Sequence, residues 1–350
     1  MYIFEGNYTG DKNRYIEINK SINITGASQT DTIIDAQNKE WVFSIYSRYG
    51  VTVTIKQLTI TNVLSVSNVP GFPVGGGAIH NYGGTVTVAD STFINNRLTG
   101  VNIYGGAIFN EKGTMTVTGS TFTGNSANSG GAIYNEDTMT VTGSTFTDNN
   151  ARDDGGAISN YRGTLTVNSS TFTGNRASRG GAISNLLDST LIVTGSNFNG
   201  NTAYYGGGIG NDGTMTVTGS TFTGNKAENG GSGGAIQSNA ISTVNFNRFL
   251  GNTAEGGEGD AIYVSSGAMN AKNNWWGSSN PNFTKLVYGN VDYTPWLTSD
   301  PVQSGAIDDP GNTAEAAGTT VPMQPTGLPV NYLVLALLMV IGGFLIPKRK

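Results

Sequence analysis

From residue 75 to residue 270, short apolar stretches alternate with polar ones at a nearly constant interval, and the unit is cleanest at 130–149, GGAIYNEDTMTVTGSTFTDN. A Gly-Gly-Ala-Ile tetrad opens it and an Asn follows two residues after the Ile. A Thr-x-Thr-Val stretch, Ser-Thr-Phe and a second Asn three residues after the Phe complete it. Apolar and polar positions alternate with period two over three to five residues, which predicts short strands. No stretch of the repeat has a helical period. The tetrad Ile falls at 79, 108, 133, 158, 183, 209, 236 and, in weaker form, 262, so the spacings are 29, 25, 25, 25, 26, 27 and 26. Self-similarity at such a period signals a solenoid. Three strands and no helix per unit predict an all-β, right-handed parallel β-helix, one unit per turn, with turns stacked at about 4.8 Å.

The stacked columns follow from this arithmetic. Val86, Met115, Met139, Leu165, Leu191 and Met215 stand seven residues before each Phe, and Val88, Val117, Val141, Val167, Val193, Val217 and Val244 stand five before it. With Phe93, Phe122, Phe146, Phe172, Phe198, Phe222 and Phe249 they are the expected core. The threonines between them point outward, where β-branched side chains suit a pleated surface. The Gly pair serves a sharp turn where a Cβ would clash. One Asn column, Asn81, Asn110, Asn135, Asn160, Asn185, Asn211 and a slipped Asn239, follows the Ile. The other, Asn96, Asn125, Asn149, Asn175, Asn201, Asn225 and Asn252, follows the Phe. Both are expected to be amide ladders that brace turns, with an amide-lined ligand groove as the alternative.

Residues 1–74 carry similar short strands and are read as opening turns, with 63–74, which hold Pro70 and Pro73, as a loop. The GGAI/FxxN repeat spans 75–270 and a closing segment spans 271–298. A flexible stalk follows over 299–329, rich in Pro and acidic residues such as Asp300, Asp308 and Asp309. Residues 330–346, VNYLVLALLMVIGGFLI, are uncharged and precede Pro-Lys-Arg-Lys, the pattern of a transmembrane anchor with its basic end inside. A buried core helix is the other reading. The N-terminus lacks a signal-peptide pattern, so the expectation is an internal start or a fragment. Gln324-Pro325-Thr326-Gly327 is near a sorting signal but lacks its spacer residue.

Alternating GGAI and FxxN along the chain resembles the polymorphic outer-membrane protein repeat, widespread also in adhesin-like surface proteins of methanogenic archaea. Asn273-Asn274-Trp275-Trp276-Gly277 and Tyr293-Thr294-Pro295-Trp296-Leu297 are similar to the β-helix closure of those archaeal proteins. The resemblance implies a β-helix displayed at the cell surface and an adhesin-like role. A β-barrel translocator, as in the bacterial relatives, is not expected, because one helix replaces it.

Composition narrows the chemistry. Gly is 51 of 350 residues, about twice the usual ~7 %, and charged residues are only 12 %. With net charge −5 and no basic patch, nucleic acid is not an expected partner. Cysteine is absent and His80 is the one histidine, which removes thiolate chemistry and multi-His metal sites. No Walker loop is present, and neither a cofactor nor a metal is expected. Gly256–Asp260, with Glu255, Glu258 and Asp260 as its carboxylates, is read as an ordinary Gly-rich corner in preference to a weak Ca²⁺ site.

Three functions are weighed. Adhesion to glycans or proteins of another cell, from a β-helix anchored in the cytoplasmic membrane, leads. A structural envelope component is second and a polysaccharide lyase or hydrolase third. Adhesion needs an exposed face. If the tetrad Ile points inward, the next residue (His80, Phe109, Tyr134, Ser159, Ser184, Gly210, Gln237) points outward. Phe109 and Tyr134 are then an exposed aromatic patch, with Tyr161 in a nearby loop, suited to sugar rings or a partner's apolar surface; an unliganded stacking ladder is the alternative. Trp275 and Trp276 are either a glycan platform or a cap on the last turn. An enzyme needs clustered carboxylates, for which the best sequence candidate is Arg152-Asp153-Asp154. Asp154 is expected beside Arg179 of the next turn as a solvated ion pair. Asn7, Asn19, Asn23, Asn168 and Asn282 lie in Asn-x-Ser/Thr sequons and are glycosylation candidates on an exterior protein.

Overall fold

The computed structural model describes residues 1–47, 50–67 and 74–301. Within them the chain coils into a parallel β-helix whose turns share three long sheets of twelve, eleven and fifteen strands and one three-stranded sheet. Every strand pairing is parallel, and in the repeats equivalent residues lie over one another. Ile108–Glu111 pairs with Ile79–Tyr82 on one side and Ile133–Asn135 on the other, Ile beside Ile and Asn beside Asn. The opening residues belong to the same stack, since Phe43–Tyr46 pairs with Ile79–Tyr82. About eleven turns result.

Strand alternation sorts the side chains as the sequence pattern predicts. Ile133, Met139, Val141 and Phe146 are each at most 1 % exposed, and burying each stabilises by about 1.5–3 kcal/mol. The phenyl rings from Phe93 to Phe222 stack 4.6–4.9 Å apart, successive planes differing by 4–8°. A long sheet usually twists; here the stacked rings hold successive turns nearly in line. The Gly pair is required by its surroundings. Gly130 has φ +64°, and a Cβ on Gly131 would sit 2.1 Å from the carbonyl oxygen of Gly156 in the next turn.

Both Asn ladders are buried and bonded amide to amide. Asn110 Nδ2 donates to Asn135 Oδ1 and Asn135 Nδ2 to Asn160 Oδ1, each at 2.8 Å. In the second column Asn125 Nδ2 donates to Asn149 Oδ1 at 2.9 Å and to the Phe93 carbonyl at 3.0 Å. Asn239 does not continue the first column: Ser238 accepts from Asn211 Nδ2 at 3.0 Å instead, because the Ile236–Ser238 strand keeps strict register with Ile209–Asn211. A third ladder escaped the sequence reading. Ser91, Ser120, Ser144, Ser170, Ser196 and Ser220 are buried, each backbone N–H but the last donating to the next hydroxyl. Asn247 and Asn274 extend it. The Ser two residues before six of the seven Phe was its signal.

Two boundaries change. The expected loop at 63–74 begins as strand, because Thr59–Ser67 runs on to pair with Arg97–Gly100, with Val63 and Ser65 buried by continued alternation. Asp300, assigned to the stalk, is instead docked: its carboxylate receives Arg248 Nε at 2.7 Å and Nη2 at 2.5 Å. No helix among the described residues is long and apolar enough to cross a membrane. The expected stalk beyond residue 301 and the span at 330–346 lie outside the described residues.

Candidate functional site

One broad face is uniform from turn to turn. The outward positions of the twelve-stranded sheet over residues 114–218 are threonine in every turn except at Asn168 and Ile192. Side-chain identity changes along one corner, where the residue after each tetrad Ile faces the residue preceding the next Gly pair.

At that corner the expected exposed patch of Phe109 and Tyr134 is corrected: they are 1 % and 5 % exposed. The strand after the Gly pair does turn these rings away from the core, but the chain preceding the pair folds over them. Tyr104 stacks on Tyr134 at 4.5 Å and lies tilted against Phe109 at 6.1 Å, while His80 stacks on Phe109 at 5.0 Å. Ser159 and Ser184 are buried by the same cover. Burial raises the Tyr134 hydroxyl pKa well above the phenolic range. Tyr161 is half-buried, 6.4 Å from Tyr134, with the Arg162 guanidinium 4.9 Å above its ring. Rings that reach solvent are others: Tyr46, stacked with Tyr82 at 5.2 Å, and Tyr204, Tyr205 and Tyr288.

The tryptophans are also corrected as ligand candidates, in favour of the cap. Trp276 is 3 % exposed, stacks on Phe249 at 4.9 Å and so ends the phenyl ladder. Phe283 meets it edge-on at 5.7 Å, and Tyr293 and Trp296 pack on Phe283 at 4.0 and 5.0 Å. Trp275 is buried as well. An apolar closing turn needs such a lid.

Carboxylates gather on the same corner. Glu111 bonds His80 Nε2 at 3.2 Å, and that hydrogen bond, outweighing burial, holds its pKa below the usual range. Glu136 and Asp154 go the other way: burial raises both, opposed for Asp154 mainly by the Arg179 charge. Asp154 does lie beside Arg179 in backbone register, but the expected ion pair is corrected. The Asp154 carboxylate accepts from Ser184 Oγ at 3.3 Å, while both Nη atoms of Arg179 reach the Asp212 carboxylate. The reason is Gly210. A Cβ there would lie 2.7 Å from Arg179 Cγ, so the missing side chain leaves the bed along which Arg179 crosses to Asp212.

Beyond Gly210 lies a groove of about 320 Å³ lined by Arg179, Tyr205, Ser232, Gln237, Asn239, Tyr263 and Ser265. Its polar groups are tied in a network. Asn239 Nδ2 donates to Asp212 Oδ1 at 2.7 Å, Gln237 Nε2 to Asn239 Oδ1 at 2.6 Å, and Ser265 Oγ also donates to Asn239 Oδ1. Sequence reading missed this groove. Its signal was the change from large to small and back at the position after the Ile: Tyr134, Ser159, Ser184, Gly210, Gln237, Tyr263.

The Gly-rich corner at 256–260 is held by protein groups. Asp260 is buried, accepting the Ala254 N–H at 2.9 Å and pairing with Lys285 at 3.0 Å, and Glu255 pairs with Lys226 at 2.7 Å. Among the described residues no cluster of three or more acidic or imidazole side chains is poised for a metal. Of the sequons, Asn7, Asn19, Asn23 and Asn282 are exposed and Asn168 is half-buried on the strand Thr164–Asn168.

None of the curated proteins and none of the solved structures matches the chain. Residues 42–222, just over half of its length, match the family model described as the right handed beta helix region. With its parallel stacked turns, the chain belongs to the right-handed β-helix family.

Proposed function

We propose that this β-helix is a cell-surface recognition protein of the adhesin-like kind, contacting glycans or proteins of another cell without chemical change to them. One observation carries the reading. Beside a face that repeats threonine from turn to turn, the corner where the residue after each tetrad Ile meets the residue before the next Gly pair changes in every turn, and solvent-reaching tyrosines, Tyr205 and Tyr288 on it and Tyr46 and Tyr204 next to it, are held there on a hydrogen-bonded ladder. Such rings offer apolar faces and polar edges to a saccharide or a protein surface. A rigid support lowers the ordering cost of binding. The C-terminal segment 330–346, by its sequence, supplies the anchor.

The test is co-sedimentation of the full chain with intact cells, alongside the Tyr82→Ala/Tyr205→Ala double variant. The reading expects association that the double variant weakens. No association with any cell surface favours a structural envelope role. A hydrolytic reading draws on Glu136 and Asp154, whose burial-raised pKa values suit a general acid. Release of reducing or unsaturated sugars, lost in Asp154→Asn, would replace the present proposal with it.

A further inference from the structure

We infer that the groove beyond Gly210 is a binding subsite for a neutral pyranose unit of a surface glycan. The inference rests on the recognition reading above and specifies its ligand class and location.

Shape comes first. At about 320 Å³ the groove lies at the lower end of the ~300–1,000 Å³ typical of small-molecule sites. Tyr205, 43 % exposed, and Tyr263 come from turns on either side of the one that carries Gln237 and Asn239. A pyranose has C–H faces and a hydroxyl rim. Aromatic walls with amides between them complement both.

Polar capacity comes second. The amides are held in place before any ligand arrives. Each amide nitrogen uses one N–H within the network, Gln237 toward Asn239 and Asn239 toward Asp212, and the second N–H of each remains for a ligand oxygen. Pre-set donors cost little to engage. Gln237 is 4 % exposed, so its orientation is fixed by packing as well.

Charge decides the class. The one cation lining the groove, Arg179, is already matched by Asp212. A uronate or sulfated sugar would have to displace Asp212 from Arg179. A neutral hexose or N-acetylhexosamine pays no such penalty.

The experiment is an array of neutral hexose, N-acetylhexosamine and hexuronate oligosaccharides probed with the full chain and with Gln237→Ala, Tyr263→Ala, Tyr263→Phe and Tyr82→Ala. Melting of each variant establishes folding. The inference expects wild-type binding to neutral sugars, at least ten-fold loss in Gln237→Ala and Tyr263→Ala, and near-wild-type binding in Tyr263→Phe, which keeps the ring. Wild-type binding to hexuronates alone, or no binding to any sugar, overturns it. So does neutral-sugar binding that survives Gln237→Ala and Tyr263→Ala but is lost in Tyr82→Ala; that pattern leaves the recognition reading standing and moves the site elsewhere on the corner. Cell co-sedimentation in the same preparations separates the two failures, because association without sugar binding removes the subsite alone.

Discussion

The side-chain amide of Asn149 is joined to that of Asn175: Asn149 Nδ2 and its backbone N–H both bond Asn175 Oδ1 at 3.0 Å. On its other side Asn149 Oδ1 receives Asn125 Nδ2 at 2.9 Å, and Nδ2 also reaches the Phe122 carbonyl at 3.0 Å. Each amide therefore bridges three turns and is fully buried. Asn149→Ala leaves the buried Asn125 N–H without its acceptor and takes one partner each from Asn125 Nδ2 and the Phe122 carbonyl, and an unpaired buried group costs about 1–3 kcal/mol. The expected loss is roughly 2–4 kcal/mol in urea unfolding. Asn149→Asp should be worse at neutral than at acid pH, since it buries a charge where a donor stood.

The phenyl ladder makes a graded prediction. Phe146→Ala removes a ring stacked on both Phe122 and Phe172 and should cost about 3–5 kcal/mol. Trp276→Ala removes the terminal ring. Because stacked repeats interact mainly with neighbours, its effect should stay local, read as faster hydrogen exchange in 249–297 than in 110–170.

Gly131→Ala is expected to prevent native assembly of its turn, because the new Cβ meets the Gly156 carbonyl oxygen at 2.1 Å and backbone has nowhere to go. Loss of the cooperative melting transition would show it; a melting point within a few degrees of wild type would contradict it.

Asp154 supplies a pH test. Burial raises its pKa in the folded chain, so folding favours the protonated form. Stability is then fully present below the ordinary aspartate value and is lost as pH rises through the elevated one. Asp154→Asn should be more stable than wild type at pH 7 and indistinguishable below pH 3. Glu111 has the opposite sign: its pKa is lowered by His80, so stability is present above the ordinary glutamate value and lost as pH falls through the depressed one. Glu111→Gln should therefore lose its deficit in acid.

Repetition explains what could be read in the sequence. Ile133, Met139, Val141 and Phe146 recur at fixed spacing, so the core of the repeats and both Asn ladders, except at Asn239, followed from period alone. The site was less legible because it depends on how unlike turns meet. Alternation placed Phe109 and Tyr134 outside the core, which is where they are, but alternation is blind to a second layer, and Tyr104 covers them. Arg179 and Asp212 are 33 residues apart in sequence and were not paired beforehand, because only the empty Cα of Gly210 opens the path between them. Trp276 was legible as a cap through its place after the last Phe column.

The most direct test of the recognition account is hydroxyl-radical footprinting of the full chain, free and mixed with isolated cell-envelope carbohydrate. The account predicts protection at Tyr205 and Tyr263, with the exposed Ile192 and the threonine face around it unchanged. Protection confined to the threonine face, with both tyrosines oxidised as fast as in the free chain, would contradict it.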